Sequence, residues 1–276
     1  MDDIKSEAKG IEQDVVRWYR DLHRIPELHD QLPMTTAYVR SVLEELGIPY
    51  NVYSNSGIRA VIECCEGDKA IAFRADMDAL PVTEETGLPF ESEHKGCMHA
   101  CGHDAHTAML LGAAKVLLPY KKQLKGKIVL LFQPAEETSG GAKIMIEEGC
   151  LKDPDVNMLV NFHAGRLFPG IKNGQVGWKK GAVMASVDTF NVTVHGKGGH
   201  GAYPDECIDP IPIACQMILA LQNIISREIK PTHGAVITTG ELNAGTLVNV
   251  IPDTAAFGGT IRTLDPADRE KVCARM

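Results

Sequence analysis

Hydrophobic positions Ile4, Ile11, Val15, Trp18, Leu22 and Ile25 recur at helical spacing among charged neighbours, which predicts a surface helix closed by Pro26. A second helical pattern runs over about 35–46 and ends at Gly47, a C-terminal cap. The texture then shortens. Residues 58–64 and 70–75 are apolar runs bracketed by Gly, Asp or Asn, which read as strands. Asp104 is placed to cap a helix reaching Leu118 and stopped by Pro119. A strand at 127–133, a helix at 141–148 and a strand at 157–162 follow. Beyond Ser186 come a strand at 187–194, a helix at 210–226, strands at 235–242 and 254–263, and a helix opened by Asp265-Pro266.

Strands alternating with helices predict an α/β fold, a mostly parallel sheet with helices on both faces, over 1–185. The β-α-β-β-α order of 186–276 predicts a second, smaller α+β domain like the first five elements of a ferredoxin-like module. Its closing strand is not in the sequence, so this domain is expected to be incomplete at its C-terminal end. Ligands of parallel sheets bind beyond the carboxyl ends of the strands. The exits here carry Asp76-Met-Asp78, Gln133-Pro-Ala-Glu136-Glu137 and His163.

Composition narrows the function classes. With 44% hydrophobic and 23% charged residues the chain is an ordinary globular one, not disordered or fibrous. A net charge of -8 disfavours phosphate backbones, so nucleic acid is excluded as a partner. The acidic start lacks a charged-then-apolar leader, and no apolar run approaches the ~20 residues of a membrane span. No membrane association and a cytoplasmic location are therefore expected. The 8 cysteines lack the dense spacing of a secreted scaffold and are expected to be reduced thiols.

The densest chemistry is Cys97-Met-His-Ala-Cys-Gly-His-Asp-Ala-His106, with five thiol or imidazole groups in ten positions. Thiolate and imidazole are preferred ligands of zinc and related ions. An extended segment would put Cys101 and His103 on one face; a helix would align His99, His103 and His106. Gly102 favours the first, leaving His99 and His106 as core histidines. No Cys-x2-Cys pair completes a closed structural site, so further ligands are expected from far along the chain, as in catalytic sites. Glu136, Glu137 and His163 are the candidates. Adjacent residues on an extended backbone point opposite ways, so one carboxylate can bind metal while the other reaches water. The segment from Gly196 to Gly201 is glycine-rich but lacks phosphate-loop spacing.

Five motifs carry a resemblance: Arg74-Ala-Asp-Met-Asp-Ala-Leu-Pro81, His99-Ala-Cys-Gly-His-Asp-Ala-His106, Gln133-Pro-Ala-Glu-Glu137, Gly199-His-Gly-Ala-Tyr-Pro204 and Asn249-Val-Ile-Pro-Asp253. In collinear order they resemble the amidohydrolase branch of the dinuclear-metal carboxypeptidase and aminoacylase superfamily, which includes hippurate hydrolases and N-acyl-amino-acid amidohydrolases. The resemblance implies a metal-dependent hydrolase of N-acyl amino acids with two divalent ions, zinc or manganese, with cobalt or nickel also accepted by such donors. It implies Cys101 as a bridging thiolate, His103, Glu137 and His163 as terminal ligands, Glu136 as general base, and Asp78 as a supporting acid in the catalytic set. It further implies that the second domain is a lid through which a homodimer forms, with His200, Asn249 and Arg262 contacting the substrate carboxylate or the developing oxyanion. Relatives continue further and supply another ligand histidine, and they often carry a histidine where this chain has Asp205-Glu206. The alternative reading is an inactive metal-binding or interaction protein.

Overall fold

The computed structural model describes residues 2–138, 140–165 and 170–276, with side-chain burial from residue 4 onward. The chain forms two compact units, Met1–Gly170 and Ile171–Met276. In the first, α1 (Asp2–Gly10), α2 (Glu12–Arg24) and α3 (Pro33–Glu45) precede β1 (Tyr50–Val52), β2 (Ile58–Glu63) and β3 (Cys65–Asp76). Then come α4 (His103–Leu117), β4 (Lys125–Gln133), α5 (Gly141–Glu147) and β5 (Met158–Asn161). The sheet order is β1-β2-β4-β3-β5. β3 pairs in parallel with β4 and β5, while β2 is antiparallel to both β1 and β4. β2 alone runs against its neighbours, and the sheet is mostly parallel as the alternating pattern predicts.

The period of two along β4 explains why both faces are covered. Ile128, Leu130 and Phe132 join one core with Trp18, Leu22, Leu43 and Leu111 from the helices. Val129 and Leu131 face the other way, onto Ala72, Met145 and Cys150. α4 lies close against α2: a Cβ at Gly112 would stand 2.8 Å from Val15 Cγ2.

Two local expectations are corrected. The single helix over 4–25 is two, because Gly10 ends α1 and Ile11 takes a non-helical conformation ahead of α2. Asp104 is not the cap of α4. Gly102 holds that position at φ +86°, and the Asp104 carboxylate, in the first turn, instead meets His23 Nδ1 at 2.6 Å.

The second unit contains β6 (Asp188–His195), β7 (Gly199–His200), α6 (Pro210–Asn223), β8 (Ala235–Ala244), β9 (Val250–Ile251), β10 (Thr254–Thr263) and α7 (Pro266–Arg275). β6-β10-β8 is an antiparallel sheet, and β7 and β9 form a separate ribbon. Ala255, Phe257 and Ile261 of β10 pack with Ala214 and Ile224 of the α6 stretch and Val272 of α7. Asp209 and Asp265 cap α6 and α7 by accepting main-chain N–H bonds, so both Asp-Pro pairs act as helix starts. The ribbon strands and β1 are two or three residues long, too short to show alternation in sequence. None of the eight cysteines is paired, and no described helix is long and apolar enough to cross a membrane.

Candidate metal centre

The exits of β3, β4 and β5 and the start of α4 converge in the first unit. Asp78, two residues past β3, is 1% exposed and fastens the turn after β4: its carboxylate accepts main-chain N–H bonds from Glu136 at 3.0 Å and Glu137 at 3.1 Å. Ala135, just before them, sits at φ +53°, a conformation that costs a non-glycine residue about 1–3 kcal/mol and is kept where surrounding structure enforces it. The two glutamates are thereby aimed from a sharp, anchored bend.

His103 opens α4 and is fully buried. Its Nδ1 lies 2.8 Å from the Asp78 main-chain oxygen, which can only accept, so Nδ1 carries hydrogen and donates. Nε2 is then buried with no hydrogen-bond partner among the described residues, 3.9 Å from Glu137 Oε1 and 3.7 Å from Asp76 Oδ2. An orphaned buried acceptor facing carboxylates is the arrangement a cation would complete. Cys101 Sγ lies 3.4 Å from His163 Nε2. His163 Nδ1 donates to the Ala164 oxygen at 2.6 Å, which again leaves Nε2 toward the centre. Donor atoms of Cys101, His103 and His163 lie within 4.8 Å of one another, as do those of His103, Glu136 and Glu137. The two groups share His103.

The charges fit the same reading. Burial, the Glu137 hydrogen bond and the nearby Glu136 and Asp76 charges push the Cys101 thiol up to about 12. Without a cation the sulfur stays protonated; a divalent ion is what would draw it into the thiolate form. Burial would lower His103, but the Asp78 and Asp76 carboxylates outweigh it and raise it. Partial burial and the Glu137 charge raise the Glu136 carboxyl above its ordinary range, although the residue as a whole is exposed.

Residues 72–266 match the peptidase family M20/M25/M40. The chain belongs to this family. N-acetyl-L-cysteine deacetylase of Bacillus subtilis is 47% identical over 266 residues, which are 96% of this chain and 63% of that protein. Thermostable carboxypeptidase 1 of Saccharolobus solfataricus is 42% identical over 98% of this chain and 69% of its own. A crystal structure of a Bacillus subtilis protein, described as a dinuclear metal binding peptidase of the M20 family, superposes with a TM-score of 0.80 at 39% identity. It covers 96% of this chain and 67% of that one. This M20 chain thus spans roughly two thirds of the length of the relatives it matches.

The structure also brings in Asp76, noted in sequence only as a strand-exit acid, and His106, read there as a core histidine. Asp76 and His106 form a third close group with His103. Burial would raise the Asp76 carboxyl, but the His106 hydrogen bond and the Arg74 guanidinium hold it well below the usual range. The available signal was the i, i+3 spacing of His103 and His106 on one helical face.

The three predicted substrate residues lie in the second unit. His200 and Asn249 are neighbours across the β7–β9 ribbon, where Gly201 N donates to Asn249 O at 2.9 Å. Arg262 is exposed near the far end of β10, paired in register with Val236. Eight residue-to-residue steps of extended strand separate it from Thr254, a rise of about 26 Å, and the ribbon lies beyond Thr254. The structure brings His200 and Asn249 together and does not bring Arg262 to them.

Proposed function

We propose that this M20 chain belongs to an amidohydrolase that cleaves the amide bond of N-acyl amino acids. The observation carrying the reading is the convergence of Cys101, His103, Glu137 and His163, drawn from two strand exits and the start of α4, around the orphaned His103 Nε2. These residues would hold two divalent ions, and their mixed sulfur, nitrogen and oxygen donors suit zinc or manganese, with cobalt or nickel also compatible. Such ions, when bound, supply Lewis acidity, making water a stronger acid and the amide carbonyl a better electrophile.

The chain's own groups do the rest. Glu136 accepts a proton from the attacking water and delivers it to the departing nitrogen; the C–O bond forms, the C–N bond breaks, and a carboxylate and a free amine leave. A raised Glu136 carboxyl suits such two-way transfer. Asp78 acts by position, holding the Glu136 and Glu137 amides and, through its main-chain oxygen, His103. In the second unit, which we assign as the lid, the Arg262 guanidinium is suited to bind the substrate α-carboxylate through paired charge-assisted bonds. His200 and Asn249 would polarise the developing oxyanion. Because β10 separates them from Arg262, the three can serve one substrate only if a second copy supplies part of the set, which supports a homodimer.

The test is release of free amino acid from N-acetyl and N-benzoyl amino acids. Glu136→Gln should lower kcat by about 10²- to 10⁴-fold, the usual contribution of a positioned proton-transfer group, with metal content unchanged. Retained hydrolysis in that variant would remove Glu136 as the base, and a metal-loaded protein that releases no amino acid from either series would overturn the substrate class.

A further inference from the structure

We propose that His106 is a positioning residue for His163, fixing the ligand that the chain contributes from the exit of β5. The inference rests on the ligand assignment above. His106 is close enough to His103 and Asp76 to be mistaken for a ligand, but both of its nitrogens are committed. Its Nδ1 meets Asp76 Oδ1, and its Nε2 accepts the main-chain N–H of Ala164 at 2.7 Å. Nε2 can accept only if the ring hydrogen is on Nδ1, so Asp76, an acceptor, selects the tautomer that grips Ala164.

Asp76 is itself held still. Arg74 Nη1 donates to its carboxylate at 2.8 Å, Arg74 Nε donates to Gln133 Oε1 at 3.0 Å, and Thr107 Oγ1 donates to its main-chain oxygen at 3.0 Å. The brace therefore runs from the exit of β3, through one turn of α4, to the residue after His163. The His106 and His163 rings add an edge-to-face contact, with centroids 4.6 Å apart at 73°.

His163 needs such support. It is exposed, it follows the four-residue edge strand β5, and among the described residues its other polar contacts are Cys101 and the oxygen of its own neighbour. His103, by contrast, is fully buried and already held at Nδ1 by the Asp78 main-chain oxygen. One face of α4 thus does two jobs three residues apart: His103 faces the ions directly, and His106 places the imidazole arriving from 57 positions beyond it.

Zinc affinity, measured by competition with a chelating dye, tests this without turnover. His106→Asn can keep a donor for Asp76 but cannot reach Ala164; His106→Gln can present its carbonyl oxygen to the Ala164 amide. We expect His106→Asn to weaken binding of the more loosely held zinc by about 10- to 100-fold, the range found when supporting partners of metal ligands are removed, and His106→Gln to recover part of the loss. His163→Ala should weaken it at least as much, and His106→Asn placed in the His163→Ala background should cost nothing further. Thermal unfolding of the metal-free variants reports that each is folded. Wild-type affinity in a folded His106→Asn variant, or losses that add in the double variant, would overturn the positioning role while leaving the metal centre intact. Unchanged binding in His163→Ala would overturn the ligand assignment and this inference with it.

Discussion

His23 shows how much one buried side chain can organise. It lies in the last turn of α2 and bridges two carboxylates, Asp104 at 2.6 Å and Glu84 at 3.1 Å, with side-chain exposures of 4%, 1% and 3%. Through Asp104 it ties α2 to the first turn of α4, and through Glu84, which also accepts the Ser92 N–H at 2.7 Å, it ties the loop leading to Cys101. The Asp104 hydrogen bond, opposed by burial and reinforced by Glu84, raises His23 above its ordinary 6.5. A raised folded-state value means stabilisation that is complete below 6.5 and lost as pH climbs through the folded value. The unfolding-temperature difference between wild type and His23→Gln should therefore be largest below about pH 6 and shrink toward alkaline pH; a difference independent of pH would show that the clamp works without charge. The same kind of pairing explains which residues were legible in sequence. That Cys101, His103, Glu137 and His163 come close together was legible because a dense thiol and imidazole cluster and the residues at strand exits are local properties of the sequence. The parts played by His106, Asp76 and Asp104 depend on partners up to 81 positions away, so the same letters read equally well as core histidine, acid or cap.

Among the elements, α4 is the one on which the centre depends most, since it carries His103 and His106 and must lie close on α2. Gly112 permits that approach. Alanine there would gain about 1 kcal/mol of helix propensity. Its methyl, however, would stand 2.8 Å from Val15 Cγ2, and overpacking of that kind costs about 1–3 kcal/mol. Val15 is β-branched and stiff, so the clash should win and Gly112→Ala should lower the denaturation midpoint. With Val15→Ala in place the same substitution should become stabilising; denaturant unfolding of the four proteins checks the reversal of sign. Most elements were readable from periodicity because β4 alternates between two cores and the amphipathic helices keep one apolar stripe. The break at Gly10-Ile11 escaped because the apolar positions continue through it, and β1, β7 and β9 escaped because two or three residues carry no period.

For the whole molecule the decisive feature is the length of β10. It places Arg262 near one end of the second unit's three-stranded sheet and the His200–Asn249 ribbon beyond the other, further apart than an acyl amino acid can bridge. The loop beside Asn249 exposes Leu247 and Val248, and α6 exposes Ile213 and Met217 one helical turn apart, apolar side chains of the kind that copies of a chain bury against one another. If one copy supplies Arg262 and the other His200 and Asn249, Asn249→Ala and Arg262→Ala should each be inactive as pure dimers. Dissociated and reassociated together, they should regain activity, because each mixed dimer contains one site with both lesions and one with neither. Random mixing of a two-fold dimer then predicts recovery of about a quarter of the wild-type rate. Mixtures that stay inactive, while native mass spectrometry shows that mixed dimers form, would mean that one chain furnishes all three residues to its own substrate.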